Sequence, residues 1–166
     1  ATRRGPWTTR RDGILALARR GVAAVCWLEN DWTWLGPIPW STWDARPADV
    51  YTLRLYGAFK GPDRTIPCQT VDLGRGRAPV TWAPAPGLPG VELARIHWGA
   101  PPAITTVDAL VRIHAAAGGP GYDPRSEAGA FRASAAEGTV ARLVENVVVH
   151  HGAAPTPRPA AGPAAR

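Results

Sequence analysis

Glycine and proline cut this chain into short pieces: 18 of each are spread over 166 residues, and clusters of them bound almost every apolar run after residue 21. Proline withholds a backbone N–H and fixes φ, and glycine stops helices and opens turns, so the runs between them have room for strands of a few residues. Those runs are Val22 to Glu29, Trp32 to Leu35, Val50 to Phe59, Thr65 to Leu73, Val80 to Ala83, Val91 to Trp98, Thr105 to His114, Ala130 to Ser134 and Thr139 to His151. Most are rich in β-branched and aromatic residues. Short strands at this spacing predict a mainly β fold, an antiparallel sandwich or distorted barrel, rather than a doubly wound sheet.

Local pairings follow from turn chemistry. Asn30-Asp31 tolerates the positive φ of a tight turn and predicts a first hairpin between Val22–Glu29 and Trp32–Leu35. In Val50 to Phe59, Tyr51, Leu53, Leu55 and Phe59 alternate with Thr52, Arg54 and Tyr56, the pattern of a half-buried strand. Gly61-Pro62-Asp63-Arg64 turns it back toward Thr65 to Leu73, where Pro67 favours an edge or bulge. In the last run, Val147-Val148-Val149 favours strand, although Ala141 to Asn146 also suits a helical turn. Arg95-Ile96-His97 echoes Arg112-Ile113-His114, as two adjacent strands or coincidence would produce.

The two ends differ from the body. Residues 1–20 hold six arginines against one aspartate, whereas residues 21–151 hold eleven basic and twelve acidic side chains. Lys60 is the only lysine beside eighteen arginines, a bias expected of a GC-rich genome as much as of phosphate binding. Thr8 to Arg20 predicts a short amphipathic helix, capped by Thr8 or Thr9, with Ile14, Leu15, Leu17 and Ala18 as its apolar stripe and Gly21 as its stop. From Gly152 the chain is Ala, Pro and Gly with Arg158 and Arg166, a polyproline-like tail that cannot bury a core. The expected organisation is a basic arm and helix over 1–21, one β-rich domain over 22–151 and a tail over 152–166.

No run of about 18 apolar residues is present, so no membrane span is expected. Arg19 and Arg20 cut off the apolar run Ile14 to Ala18 before a signal-peptide core forms, and the chain is expected to be soluble and cytosolic. The lack of methionine fits removal of an initiator before Ala1 or excision of a fragment. Cys26 and Cys68 are expected to be buried thiols rather than a disulfide framework.

Motifs that would carry chemistry are scarce. Ser41, Ser126 and Ser134 lie in no nucleophile elbow, and Cys26 sits in an apolar run where a thiol is inert. Glu29 with Asp31, and Asp44 with Asp49, outline a glycosidase pair but are ordinary near turns. Adjacent His150 and His151 point to opposite faces of a strand, and His97 with His114 lacks further ligands. The glycine segments at 74–77 and 118–121 lack the residues of a phosphate loop. No enzyme, cofactor or metal is expected.

What stands out is aromatic. Five of the eight tryptophans, Trp27, Trp32, Trp34, Trp40 and Trp43, fall within seventeen residues, and Trp32 and Trp34 share one face. They predict either a core short of Met and Phe or a surface that anchors a partner. Arms that cannot order themselves order on neighbours. The expected function is therefore a non-catalytic structural subunit of a larger assembly, a phage virion component (capsid, connector or tail), found in the virion or in host cytoplasm before assembly. Arg3, Arg4, Trp7, Arg10, Arg11, Trp32, Trp34, Trp40 and Trp43 are the expected contacts to neighbouring subunits. Two alternatives stand beside it: a carbohydrate-binding module stacking sugars on Trp32, Trp34, Trp40 or Trp43 with Asp44 or Asp49 on hydroxyls, and a nucleic-acid-associated protein whose N-terminal arginines meet phosphates without sequence specificity.

Overall fold

A computed structural model describes residues 6–28, 32–56, 58–60, 65–67, 70–72, 77–96, 102–116 and 138–150. In chain order the elements are α1 (Pro6–Arg19), β1 (Ala24–Trp27), β2 (Trp32–Trp34), α2 (Trp40–Asp44), β3 (Val50–Arg54), β4 (Ala58–Lys60), β5 (Thr65–Pro67), β6 (Thr70–Asp72), β7 (Arg77–Pro79), β8 (Ala83–Pro84), β9 (Val91–Ala94), β10 (Ala103–Thr106), α3 (Val107–Ala116), β11 (Thr139–Leu143) and β12 (Val148–His150). Six strands form one sheet in the order β1-β10-β3-β11-β9-β8. Every pairing in it is antiparallel except that of β3 with β11. Three two-stranded pairs, β2 with β12, β4 with β5 and β6 with β7, complete the β structure of the described residues.

The sheet is buried on both faces. Register places Val25, Thr105, Thr52, Val140 and Ala94 in one cross-strand row and Cys26, Ile104, Leu53, Ala141 and Leu93 in the next. Successive side chains point to opposite faces, so the two rows feed separate cores. The first core joins Tyr51, Ala94, Ile96 and Val140 to Ile14 of α1 and Leu110 and Ile113 of α3. The second joins Leu53, Ile104, Ala141 and Leu143 to Trp32 of β2, Trp43 of α2 and Val148 of β12. The fold thus has helices on one face of the mixed sheet and a small ribbon with α2 on the other. Among the described residues the sheet is open and closes into no barrel.

At the centre of the helical face, the hydroxyls of Thr52 and Thr105 lie 2.8 Å apart, and Thr52 also donates to the Ile104 carbonyl at 3.2 Å. Beside them Tyr51 is an extra residue between the pairs Thr139–Val50 and Val140–Thr52. This irregularity lets Tyr51 join the helical core although strict alternation would send it to the other face.

Several local expectations are corrected here. The first hairpin does not form: β1 pairs with β10 and β2 with β12. The reason is burial, since β1 supplies Val25 to one core and Cys26 to the other, whereas β2 alternates between buried Trp32 and exposed Thr33 and suits a surface ribbon. Thr105 to His114 is not a strand. β10 stops at Thr106, whose hydroxyl accepts from Ala109 N at 3.4 Å as an N-cap, and α3 follows with Val107, Leu110, Ile113 and His114 buried at helical spacing. The echo of Arg95-Ile96-His97 therefore falls on a helix and is coincidence. Val50 to Phe59 is not one half-buried strand, because all five residues of β3 are buried and β4 is separate. Thr65 to Leu73 divides into β5 and β6, and β5 pairs antiparallel with β4, while the expected turn at residues 61–64 lies outside the described residues. Thr139 to His151 divides likewise, with β11 in the large sheet and β12 in the ribbon.

The N-terminal helix forms, but it starts two residues earlier than expected with Pro6 at its first position, where a missing N–H costs nothing, so Thr8 and Thr9 lie inside the helix and do not cap it. Gly21, with φ of 70°, ends it: Gly21 N bonds Ala18 O at 3.0 Å and Val22 N bonds Leu17 O at 3.1 Å, a left-handed glycine cap closed by the Leu17–Val22 contact. The expected strand Ala130 to Ser134, the 152–166 tail and residues 1–5 lie outside the described residues.

Candidate functional site

The tryptophan-rich stretch folds into the ribbon layer, and burial sorts its members. Trp32 and Trp43 are core residues at 7% and 4% exposure, whereas Trp40 is 42% exposed. Trp34 is half-buried against the same core. Trp40-Ser41-Thr42-Trp43 winds into α2, where Trp43 packs into the core while Trp40, at the first position of the helix, stays exposed. The Arg46 guanidinium lies over the Trp43 ring at 3.6 Å and holds the loop by bonding Trp43 O at 2.8 Å and Val50 O at 3.0 Å. Trp32 packs against Tyr56 with ring centroids 5.2 Å apart. Of the four rings suggested for sugar stacking, only Trp40 and Trp34 offer surface. Of the paired acids, Asp49 accepts from Thr139 Oγ1 at 2.5 Å and Asp44 is exposed.

On the helical face the arginines meet aromatic rings. Arg10 of α1 lies over Trp27 at 4.1 Å, and Arg142 of β11 lies over Trp82 at 4.2 Å while making a 2.7 Å ion pair to Glu92. Arg11 pairs with Asp12 at 3.5 Å. Arg10 and Arg11 are therefore drawn into the fold, while Arg19 and Arg20 stay exposed. Arg3 and Arg4 lie outside the described residues, and for Trp7 only its place in α1 is described. The structure thus brings Trp32, Trp34, Trp40 and Trp43 into one layer and places Arg10 and Arg11 on the opposite side of the sheet. Sequence reasoning passed over Trp82 and Arg142, whose meeting depends on strand order.

Two groups with reactive side chains are chemically quiet. Burial pushes the free Cys26 thiol up to about 11, so it is protonated at neutral pH and lacks the thiolate a nucleophile needs. His114 is buried on α3 with Nδ1 donating to Leu110 O at 2.8 Å, and burial, with Arg10 and Arg11 adding to it, lowers its pKa below 6.5 despite that bond. A histidine kept neutral by folding takes up its proton more readily in the unfolded chain, so its contribution is complete above pH ~6.5 and is lost as pH falls below it. The urea midpoint is expected to drop between pH 7.5 and 5.5, and His114→Gln to flatten that drop. An unchanged slope in the variant counts against the assignment.

His97, His151, Cys68, Ser126 and Ser134 lie outside the described residues, as do Glu29 and Asp31. Among the described residues, no group of three His, Cys, Asp or Glu side chains could hold a metal ion, and no helix is long and apolar enough to cross a membrane. No family model, curated protein or solved structure matches this chain.

Proposed function

We propose that this protein is a non-catalytic structural subunit of a larger protein assembly, a phage virion component whose terminal arms lie on neighbouring subunits. One observation carries the reading. The large apolar side chains left open among the described residues, Leu35, Trp40 and Val144 at 62%, 42% and 51% exposure, all lie on segments that flank the ribbon layer. Leu35 N bonds Val147 O at 2.8 Å, which ties the segment leading to Trp40 to the turn that begins at Val144. Trp is among the side chains most enriched at the centres of protein contacts, where apolar neighbours around it exclude water.

Light scattering of the full chain, with limited proteolysis of both ends, tests this role. A multimer with protected ends is expected, and Leu35→Lys with Trp40→Lys should lower its mass. A monomer at every concentration, with both ends quickly trimmed, would overturn it.

A further inference from the structure

Resting on the assembly role proposed above, we infer that the β1 edge of the sheet is a subunit contact, and that its partner is β1 of a second copy, antiparallel about a two-fold axis. The two edges of the sheet are built differently. At the β8 edge, Ala85 N bonds Val91 O at 2.9 Å, and the β8–β9 register continues through Pro84–Glu92 and Ala83–Leu93. Hydrogen-bonding groups alternate sides along a strand, so the β8 residue aimed outward there is Pro84, and Pro86 follows in the turn beyond it. Proline has no N–H, and no further strand can be added where donors are needed.

The same alternation opens the β1 edge. Val107 N bonds Ala23 O at 2.9 Å, in register with Ala24–Thr106 and Cys26–Ile104, so Ala23, Val25 and Trp27 turn their backbone groups toward β10. On the far side of β10, Leu55 N bonds Pro102 O at 3.1 Å, which fixes the same parity independently. Ala24 and Cys26 therefore aim N–H and C=O away from the sheet, and among the described residues no strand meets them. Burial agrees, since all four β1 residues are half-buried while β3, two strands inward, is buried throughout. The strand Ala24-Val25-Cys26-Trp27 carries no charge, proline or glycine, the devices that normally blunt an edge.

The occupant follows from self-complementarity. Opposing Ala24 to Cys26 of a second copy, about a two-fold at Val25, joins every outward group of the two residues in four N–H···O=C bonds. Small Ala and Cys side chains face each other on one side of this seam. Head-to-tail growth would need the β8 edge, which Pro84 closes, so addition ends at a pair rather than a filament.

In that register the two Val25 residues form a non-hydrogen-bonded pair with Cα atoms about 4.5 Å apart, within disulfide reach. The test is Val25→Cys in a Cys26→Ala, Cys68→Ser background of the full chain, oxidised and run on a non-reducing gel, with Ala24→Cys in the same background as the register control. Expected is a covalent dimer from Val25→Cys and none from Ala24→Cys. Ala24→Pro removes two of the four bonds without touching β10 and should weaken association about tenfold by light scattering. A multimeric wild type with no Val25→Cys crosslink and no effect of Ala24→Pro overturns the edge contact and leaves the assembly role standing. A wild type that is monomeric throughout, with no crosslink, overturns both. If Ala24→Pro fails to fold, the crosslink alone decides.

Discussion

Leu53→Ala is expected to lower the free energy of unfolding by about 2–5 kcal/mol, the range for emptying a rigid core site. Leu53 is 1% exposed on the central strand β3, flanked across the sheet by Ile104 on β10 and Ala141 on β11, at 0% and 1% exposure. Its side chain enters the core that joins the sheet to Trp32 and Trp43, where aromatic rings cannot shrink to fill a gap. The urea midpoint should fall with little change in the slope. Leu35→Ala provides the contrast, since Leu35 is 62% exposed and its truncation should change stability by less than about 0.5 kcal/mol. Equal effects at the two sites would contradict the layer assignment.

Gly138→Ala is expected to cost about 2–3 kcal/mol, although it adds a single methyl. Gly138 holds φ at 132°, and a Cβ there would stand 2.7 Å from the Asp49 carbonyl oxygen, a backbone atom that cannot swing aside. The close approach has a purpose in the fold. It lets Thr139 donate twice to Asp49, from its backbone N at 3.1 Å and its hydroxyl at 2.5 Å, and so start the one parallel pairing of the sheet beside Val50. Calorimetry of the variant should show a melting temperature several degrees lower. Gly13→Ala, with open space around the added methyl inside α1, should instead leave stability equal or raise it. If Gly138→Ala melts with the wild type, the parallel junction does not depend on the glycine.

How much was legible in the sequence varies with the range of the interaction. The helix at α1 and its glycine stop were readable because stripe and stop lie within one segment, whereas its start was misplaced at Thr8 or Thr9. The strand read through Thr105 to His114 failed because Ile104, Thr105, Thr106 and Val107 form a β-branched run, and its capping threonine was taken for strand. For the candidate site, composition pointed to the tryptophans but could not separate Trp43 from Trp40. Their difference is set by tertiary packing, since Trp43 meets the core beneath α2 and Trp40, at the end of the helix, does not.

The sequence by itself determined that the chain folds through short strands and one N-terminal helix, because Gly, Pro and hydrophobic period act over a few residues. Only the tertiary structure decided that β1 belongs beside β10 rather than β2, that β3 and β11 run parallel, and that among the described residues a proline closes one edge of the sheet while Ala24 and Cys26 leave the other open. Those outcomes depend on which strand supplies the partner hydrogen bonds and on which face is already covered. Alternation fixes the faces of a strand but never its neighbours.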